Sequence, residues 1–447
     1  MVNSRNSPAG LAHRRRPRVR SRGSVPDWVG GALEMTTNPW NLHWRRSEVH
    51  PLLPDPDPRP IRHTLISVDD HLVEPPDMFT GRLPAHLQDR APKVVETVEG
   101  HEVWEFDGRV HFQVGLNAVV GRDRRDWLVE PTRFEDLRPG CYEIDARVKD
   151  MDINGVWASV NFPSQITGFC GSVFSRAADP ELGLSVTRAW NDWFFDEWYS
   201  PYPERIVPMG ITFLGDPDRG AEEIRRNAAR GFTAVTLPEQ PHRIELPSVF
   251  SGWWDPIITA CADTGTVICL HVGSTGVAAM PPDAPMVPLA ATLFGQLSLS
   301  ACAEWLWSGY AVRFPDLKIA MSEGGIGWVA MLHDRLENIV DRAGYGHYFS
   351  GDRRPADVLR EHFWFCTIDD PSTLVTRETI GVDHIMFETD YPHGDGTWPD
   401  SQWVFADVFG QLPADEVAKI SHENAAALFR HPLPPRDSPH GVGVRRR

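Results

Sequence analysis

The sequence predicts an α/β fold built on parallel strands, in the form of a distorted (β/α)8 TIM barrel with an insertion after the first strand and a C-terminal helix. Three observations support this prediction: short apolar runs recur along the chain, helix-length amphipathic stretches separate them, and the runs number eight. Short apolar runs bounded by turn residues are typical of strands that are buried on both faces. Eight such units favour a closed barrel over an open sheet.

The predicted elements alternate along most of the chain. Strands are predicted at Thr64–Val68, Trp157–Phe162, Ile206–Phe213, Thr233–Leu237, Thr266–Val272, Lys318–Ser322, Phe363–Ile368 and His384–Thr389. Helices are predicted at Pro180–Tyr199, Asp218–Arg230, Ser248–Thr264, Leu289–Phe314, Trp328–Ala343 and Ser372–Gly381, with a closing helix at Pro413–Phe429. Asp216 and Ser248 are the expected N-caps of the second and third helices.

Residues 72–146 interrupt this alternation and are predicted to be an insertion that forms part of a lid or a dimer arm. Within it, apolar and polar residues alternate on both sides of Asp107-Gly108, a pattern that predicts a β-hairpin. The barrel domain is predicted at residues 61–432, preceded by a disordered or extended arm at 1–60 and followed by a flexible tail at 433–447.

The N-terminal segment differs in charge from the rest of the chain. Residues 1–26 contain seven arginines and no acidic residue, whereas the whole chain carries a net charge of −17. No apolar stretch follows the arginines, so they do not predict a secretion signal. Met35 is an alternative start of the folded protein, and we expect residues 1–34 to be dispensable for activity.

Composition excludes several classes of protein. The acidic net charge argues against nucleic-acid binding, and no apolar run reaches the roughly 18 residues of a membrane span. The six cysteines lack metal-finger spacing and several lie in apolar runs, which predicts buried reduced thiols in a cytoplasmic protein. The seventeen tryptophans predict helix packing and a subunit interface, or alternatively an aromatic substrate wall.

Polar residues at the ends of the predicted strands are the candidates for chemistry, because a barrel gathers its active site at the C-terminal ends of its strands. These residues are Asp69, His71, His271, Glu323 and Asp390. Asp69 and His71 are two positions apart, so on an extended chain both side chains point the same way. Imidazole together with carboxylate suits Zn²⁺, Mn²⁺ or Fe²⁺.

Each candidate also has a structural interpretation. The Asp-x-His pair could hydrogen-bond a turn, His271 could be a structural histidine in the core, and Asp390 could cap the next helix. Their placement at the ends of four different strands favours a shared metal site.

Five motifs extend this interpretation: VDDHLVEP, LHVG, MSEGGIGW followed by LHDRLE, ETDYPHGDGTWP and ENAAALF. In order and spacing they resemble the aminocarboxymuconate-semialdehyde decarboxylase-like branch of the amidohydrolase superfamily, from about Thr64 to about Arg430. The resemblance implies a distorted barrel with one divalent metal, Zn²⁺ first and Mn²⁺ second. It implies the ligands Asp69, His71, His271 and Asp390.

One position departs from that family pattern. Where the family commonly has a catalytic histidine at the end of the sixth strand, this chain has Glu323. A carboxylate can move protons but cannot act as a cationic clamp. His393 could substitute as a proton donor or substrate contact, or it could be a loop histidine bonded to the backbone.

Two enzymatic functions follow from these residues. The first is non-oxidative decarboxylation of a small aromatic or unsaturated acid, with Asp390 or Glu323 delivering a proton. The second is metal-dependent hydrolysis of an amide, ester, lactone or C–C bond, with Asp390 as base and Glu323 as acid. A barrel that has lost catalysis is a third interpretation, which the complete ligand set disfavours. The expected partners are a small-molecule substrate and a second copy of the chain, with no nucleic acid and no membrane.

Overall fold

The computed structural model describes residues 51–127, 130–349, 352–368 and 370–444, together with the backbone of Glu34 and Met35. Most of the predicted N-terminal arm, including its arginine-rich segment, lies outside the described residues. Its last part, residues 51–60, has no regular secondary structure. There the Leu53 N–H donates to the Gly121 carbonyl (2.7 Å), so this part lies along the body of the protein.

Parallel strands alternate with helices, which confirms the predicted parallel α/β fold. The strands are β1 (Glu34–Met35), β2 (Ile66–His71), β3 (Lys93–Glu96), β4 (Glu102–Phe106), β5 (Arg109–His111), β6 (Ala158–Phe162), β7 (Ile206–Val207), β8 (Met209–Gly210), β9 (Ala234–Leu237), β10 (Val267–His271), β11 (Ile319–Ser322), β12 (Phe363–Thr367) and β13 (Ile385–Phe387). Two parallel sheets have the orders β2-β6-β7 and β8-β9-β10-β11-β12-β13.

The predicted third strand is divided in two at Pro208. Proline has no N–H to donate to a strand ladder, so pairing is interrupted there. As a result β7 pairs with β6, whereas β8 pairs with β9. At the other end of the series, the Asp390 N–H donates to the Asp69 carbonyl (2.8 Å), which connects the end of the last strand to the first.

The segment between β2 and the first long helix contributes β3, β4 and β5 to a separate small sheet with the order β1-β5-β4-β3, whose edge strand β1 precedes β2 in the chain. The predicted hairpin is present: β4 and β5 are antiparallel, with Phe106 opposite Arg109. Asp107 and Gly108 form its turn with φ of 49° and 75°. Positive φ at both central residues gives the twist that joins antiparallel strands in a two-residue loop.

The helices cover the sheets. They are α1 (Ile144–Asn154), α2 (Ser172–Ser175), α3 (Pro180–Trp193), α4 (Pro217–Arg230), α5 (Asp255–Thr264), α6 (Met286–Thr292), α7 (Phe294–Trp307), α8 (Tyr310–Arg313), α9 (Val329–Asp341), α10 (Pro355–His362), α11 (Arg377–Ile380), α12 (Ser401–Phe409), α13 (Ala414–Ala418) and α14 (Asn424–Phe429). One turn of π-helix follows α3 and another joins α13 to α14.

Helix boundaries confirm some predictions and correct others. Asp216 caps α4 as predicted, accepting from the N–H groups of Asp218 and Arg219 (3.0 Å each). Ser248 is not an N-cap, because Gly252 has a φ of 75° and the helix begins only after it. The long helix predicted at Leu289–Phe314 is three helices. Gly309, with a φ of 77°, separates the last two of them.

The core is rich in aromatic side chains and thiols. Six tryptophans are fully buried: Trp104, Trp190, Trp193, Trp198, Trp254 and Trp305. All six cysteines are buried and none forms a disulfide within the described chain, as their positions in apolar runs predicted. No single described helix has the length and apolar composition to span a membrane, although α6 and α7 meet that test together as a pair bent by 47°.

Residues 433–444, in the predicted flexible tail, pack against the body. The Thr64 N–H donates to the Val442 carbonyl (3.1 Å), and His440 is buried beside Trp157.

Candidate metal centre

The strand order explains why residues far apart in sequence meet at one edge. His71 is the last residue of β2 and His271 the last of β10, while Glu323 directly follows β11. Asp390 lies three residues beyond the end of β13. Because parallel strands all end on the same side, these side chains share one edge of the fold.

The four predicted ligands are in contact. The Nε2 atoms of His71 and His271 are 3.0 Å apart. Asp69 Oδ1 lies 3.5 Å from the His71 Nε2 and 3.4 Å from the His271 Nε2. Asp390 Oδ1 is 3.5 Å from the His71 Nε2. Asp69, His71 and His271 thus form one compact group, and Asp390 adjoins it through His71, in a second group with His393.

The polar atoms of this cluster are not satisfied by the protein itself. Among the described residues, neither oxygen of Asp69 or of Asp390 has a well-formed hydrogen bond, although both side chains are fully buried; the nearest donor to Asp390 is the His393 ring nitrogen, as an ion-pair contact. The His271 Nδ1 contacts the Val272 carbonyl (2.6 Å), which places the proton on Nδ1 and a lone pair on Nε2. Buried carboxylates without partners are costly, and a divalent cation is the partner that this donor set fits.

Burial of the cluster also shifts the pKa values of its carboxyl and imidazole groups. Burial, followed by repulsion from Asp70, raises the pKa of Asp69 well above its usual value. Burial and the neighbouring carboxylates, first Asp395 and then Glu323, likewise raise the pKa of Asp390. Burial lowers the pKa of His71 well below its usual value. The pocket alone thus disfavours charge on both residue types, a preference that a bound cation reverses for the carboxylates.

Glu323 and His393 lie at the outer side of the cluster. The Glu323 Oε2 is 3.5 Å from the His271 Nε2, and its side chain is 12% exposed. The His393 Nδ1 is 2.9 Å from Asp390 Oδ1, and its ring stacks on that of His71 with centroids 4.0 Å apart. His393 also forms a hydrogen bond with the backbone of Leu116, as expected if it is a loop histidine bonded to the backbone.

The backbone at two of these residues is unusual. Glu323 and Asp390 have φ of 60° and 51°, in the left-handed region that residues with a Cβ rarely adopt. A cost of order 1 kcal/mol or more is expected for each. The fold therefore holds both carboxylates in place at the expense of stability, as functional sites often do.

Asp70, between the two predicted ligands on β2, has a structural role. It points to the opposite face of the strand and accepts from Ser67 Oγ (2.9 Å), Thr389 Oγ1 (2.6 Å) and the Tyr391 N–H (3.1 Å). These bonds hold the Asp390 segment against the first strand.

Sequence reasoning missed three neighbours of the cluster. Asp395 could offer a carboxylate oxygen to a metal beside Glu323, Asp390 and His393. Beside Asp69, Glu388 could offer a carboxylate oxygen and Cys366 its Sγ. Asp395 and Glu388 lie in the same ETDYPHGDGTWP motif as Asp390. The i, i+2 spacing that selected Asp69 and His71 also relates Glu388 to Asp390, and this signal could have found Glu388.

Comparison with known proteins gives the family. The family described as "Amidohydrolase" matches residues 107–431, and the chain belongs to it, which confirms the predicted membership. No match was found among curated protein sequences.

Several solved structures are similar to this one. An amidohydrolase from Mycobacterium avium subsp. paratuberculosis K-10 is 23% identical, with a TM-score of 0.65 over 83% of this chain and 100% of that chain. A dihydroxybenzoic acid decarboxylase from Polaromonas sp. JS666, with bound manganese and the inhibitor 2-nitroresorcinol, is 19% identical, with a TM-score of 0.56 over 82% and 97%. A 5-carboxyvanillate decarboxylase from Novosphingobium aromaticivorans DSM 12444, in complex with manganese and 4-hydroxy-3-methoxy-5-nitrobenzoic acid, is 16% identical, with a TM-score of 0.58 over 84% and 99%. These similarities establish a shared fold.

Proposed function

We propose that this protein is a metal-dependent, non-oxidative decarboxylase of a small aromatic or unsaturated carboxylic acid. The observation that carries the proposal is the pair of buried groups that share His71, one with Asp69 and His271 and one with Asp390 and His393, whose carboxylate oxygens lack well-formed hydrogen bonds within the described chain. Two proteins that share the fold are decarboxylases of aromatic acids.

The four predicted ligands would hold one divalent cation. Two imidazoles and two carboxylates suit Zn²⁺ and Mn²⁺ alike, and manganese is bound in both of those decarboxylases. The cation supplies positive charge that attracts the acidic oxygens of a substrate and offsets the negative charge developing in the reaction.

The architecture supports a closed barrel around this site. The two parallel sheets are separated only by Pro208 on one side, and on the other side the Asp390 N–H and Asp69 carbonyl join the last strand to the first. We infer that the sheets are two parts of one distorted (β/α)8 barrel.

The residues of the chain then account for the proton. When the bond between the substrate carbon and its carboxylate breaks, CO₂ leaves and the electron pair stays on carbon. A carboxyl group of the protein gives that carbon a proton, and solvent returns a proton to the carboxylate. Glu323 or Asp390 is the donor, and His393 contacts Asp390 Oδ1 and holds its orientation. Glu323 is the more exposed of the two carboxyl groups, which suits exchange with solvent.

Release of CO₂ from a panel of hydroxybenzoic and unsaturated acids, after loading with Mn²⁺ or Zn²⁺, tests the proposal. We expect Glu323→Gln to lower the turnover number by about 10²–10⁴-fold while metal content is unchanged, because it removes an acid–base group but not a predicted ligand. Glu378→Gln, an exposed helix residue, is the matched control. Hydrolysis of esters or amides without any CO₂ release would replace the proposal with the hydrolase interpretation.

Two further predictions concern the assembly state and the N-terminal segment. A homodimer is tested by light scattering, and removal of residues 1–34 is expected to leave turnover unchanged in a folded protein.

A further inference from the structure

A cavity of about 290 Å³ adjoins the candidate metal centre and is not used by the mechanism above. It lies between the β4–β5 hairpin and the loops that follow β6 and β10. Phe169 is shared by the two sites: it lines the cavity, and its ring centroid lies 5.7 Å from that of His71 and 5.0 Å from that of His271. A ligand in the cavity would therefore lie beside the metal ligands.

The lining of this cavity includes two arginines, in contrast to the acidic chain as a whole. Arg109, Arg176 and His111 all line it. One acid shares the wall, Asp107, whose Oδ2 accepts from the Ala178 N–H (2.6 Å). Two arginines and one carboxylate give the wall a net positive formal charge.

Arg176 has no counter-ion of its own. Its Nε donates to the Ser172 carbonyl (3.2 Å), and it forms no ion pair within the described part of the chain. Desolvation lowers its pKa, and the positive charge of Arg109 lowers it further, whereas Cys170 and Glu245 partly oppose this. Two guanidinium groups that repel each other across a cavity are stabilised by an anion between them.

His111 gives an independent observation. It is 4% exposed, and its Nε2 is buried without a hydrogen-bond partner among the described residues. Burial, and then the nearby Arg176 and Arg109, lowers its pKa to about 4, so the ring is neutral at neutral pH. A buried polar atom of this kind in a cavity wall is expected to bond to a ligand.

We propose that Arg109, Arg176 and His111 form a subsite for a second acidic group of the substrate, remote from the metal. The assignment rests on the proposed function and narrows it: the preferred substrate carries a carboxylate or similar anion at the end opposite the group that is lost. Phe169 and Phe106, which also line the cavity, provide apolar walls for the part of the substrate between the two acidic groups.

Binding of simple probes tests this subsite without requiring turnover. Isothermal titration calorimetry on the full chain with Mn²⁺ would compare the dicarboxylates isophthalate and terephthalate with benzoate. We expect at least one dicarboxylate to bind about tenfold or more tightly than benzoate, the effect of one charge-assisted contact. Arg176→Gln should abolish that preference and leave benzoate affinity unchanged, and Arg176→Lys should retain part of it.

Arg225→Gln is the matched control, since Arg225 forms an exposed ion pair with Asp263 on another part of the surface. Equal affinity for mono- and dicarboxylates in the wild type, or a preference that survives in Arg176→Gln, would overturn the subsite. An equal loss of benzoate binding in the variant would overturn it as well. A protein that keeps the Arg176-dependent preference but releases no CO₂ from any acid would instead overturn the decarboxylase and leave the subsite in place.

Discussion

Removal of the metal should lower thermal stability by an amount that can be worked out in advance. The perturbation is chelation, or substitution of His271 by alanine, which removes one of the four predicted ligands. With free metal at about 1,000 times its dissociation constant, binding to the folded state alone contributes ~4 kcal/mol. The described chain of about 390 residues has an unfolding entropy of roughly 0.8 kcal/mol/K, so Tm should fall by about 5 °C.

Calorimetry with elemental analysis on the same samples is the assay. We expect the wild type to hold about one metal ion per chain, and His271→Ala to hold none and to melt like the chelated wild type. The control is His347→Ala, which removes an exposed histidine and should keep both metal and Tm. A chelated wild type with unchanged Tm, or a His271→Ala protein that retains its metal, would refute the four-ligand site.

Three further predictions concern the rest of the molecule. Trp190→Ala should lower the free energy of unfolding by about 3–5 kcal/mol, because it leaves a cavity in the core and removes the 2.9 Å hydrogen bond to Glu74. Denaturant unfolding measures this change, and Trp403→Ala, at an exposed position, is the near-neutral control. Burial raises the pKa of Glu239 to about 7, so its folded state binds a proton that the unfolded state has already lost above pH 4.5. In chelator, the stability of the wild type relative to Glu239→Gln should therefore fall between pH 4.5 and 7 and be constant above that range, and a difference that rises over this interval would contradict the sign. Burial raises the pKa of the Cys141, Cys170 and Cys261 thiols to about 12. At pH 8 these thiols should therefore react with a disulfide reagent about 10³-fold more slowly in the folded protein than in the unfolded chain. Rapid labelling before unfolding would count against their burial.

The sequence allowed the strands to be predicted better than the helices, for a physical reason. A strand buried on both faces must be apolar along its whole length, so all eight predicted runs have an observed counterpart. Helix ends depend on single backbone conformations such as those at Gly252 and Gly309, which the hydrophobic pattern does not encode. The division at Pro208 was readable in principle, since proline cannot donate to a ladder.

The candidate site was likewise predictable from the sequence only in part. The four predicted ligands could be selected because each lies at or near the C-terminal end of a strand, and these ends meet in parallel sheets. The partners in the cavity could not be found in this way. Arg109 lies on the inserted hairpin, and Arg176 directly follows the short helix α2. They come together only because the hairpin packs against the segment after β6.

The left-handed backbone at Glu323 and Asp390 has a consequence for protein engineering. Glycine or asparagine tolerates that conformation better than glutamate or aspartate, so a library screened for heat resistance alone should enrich such replacements at both positions. The variants selected in that screen would be more stable to heat but inactive. Directed evolution of a durable catalyst from this scaffold should therefore fix these two codons and allow variation elsewhere.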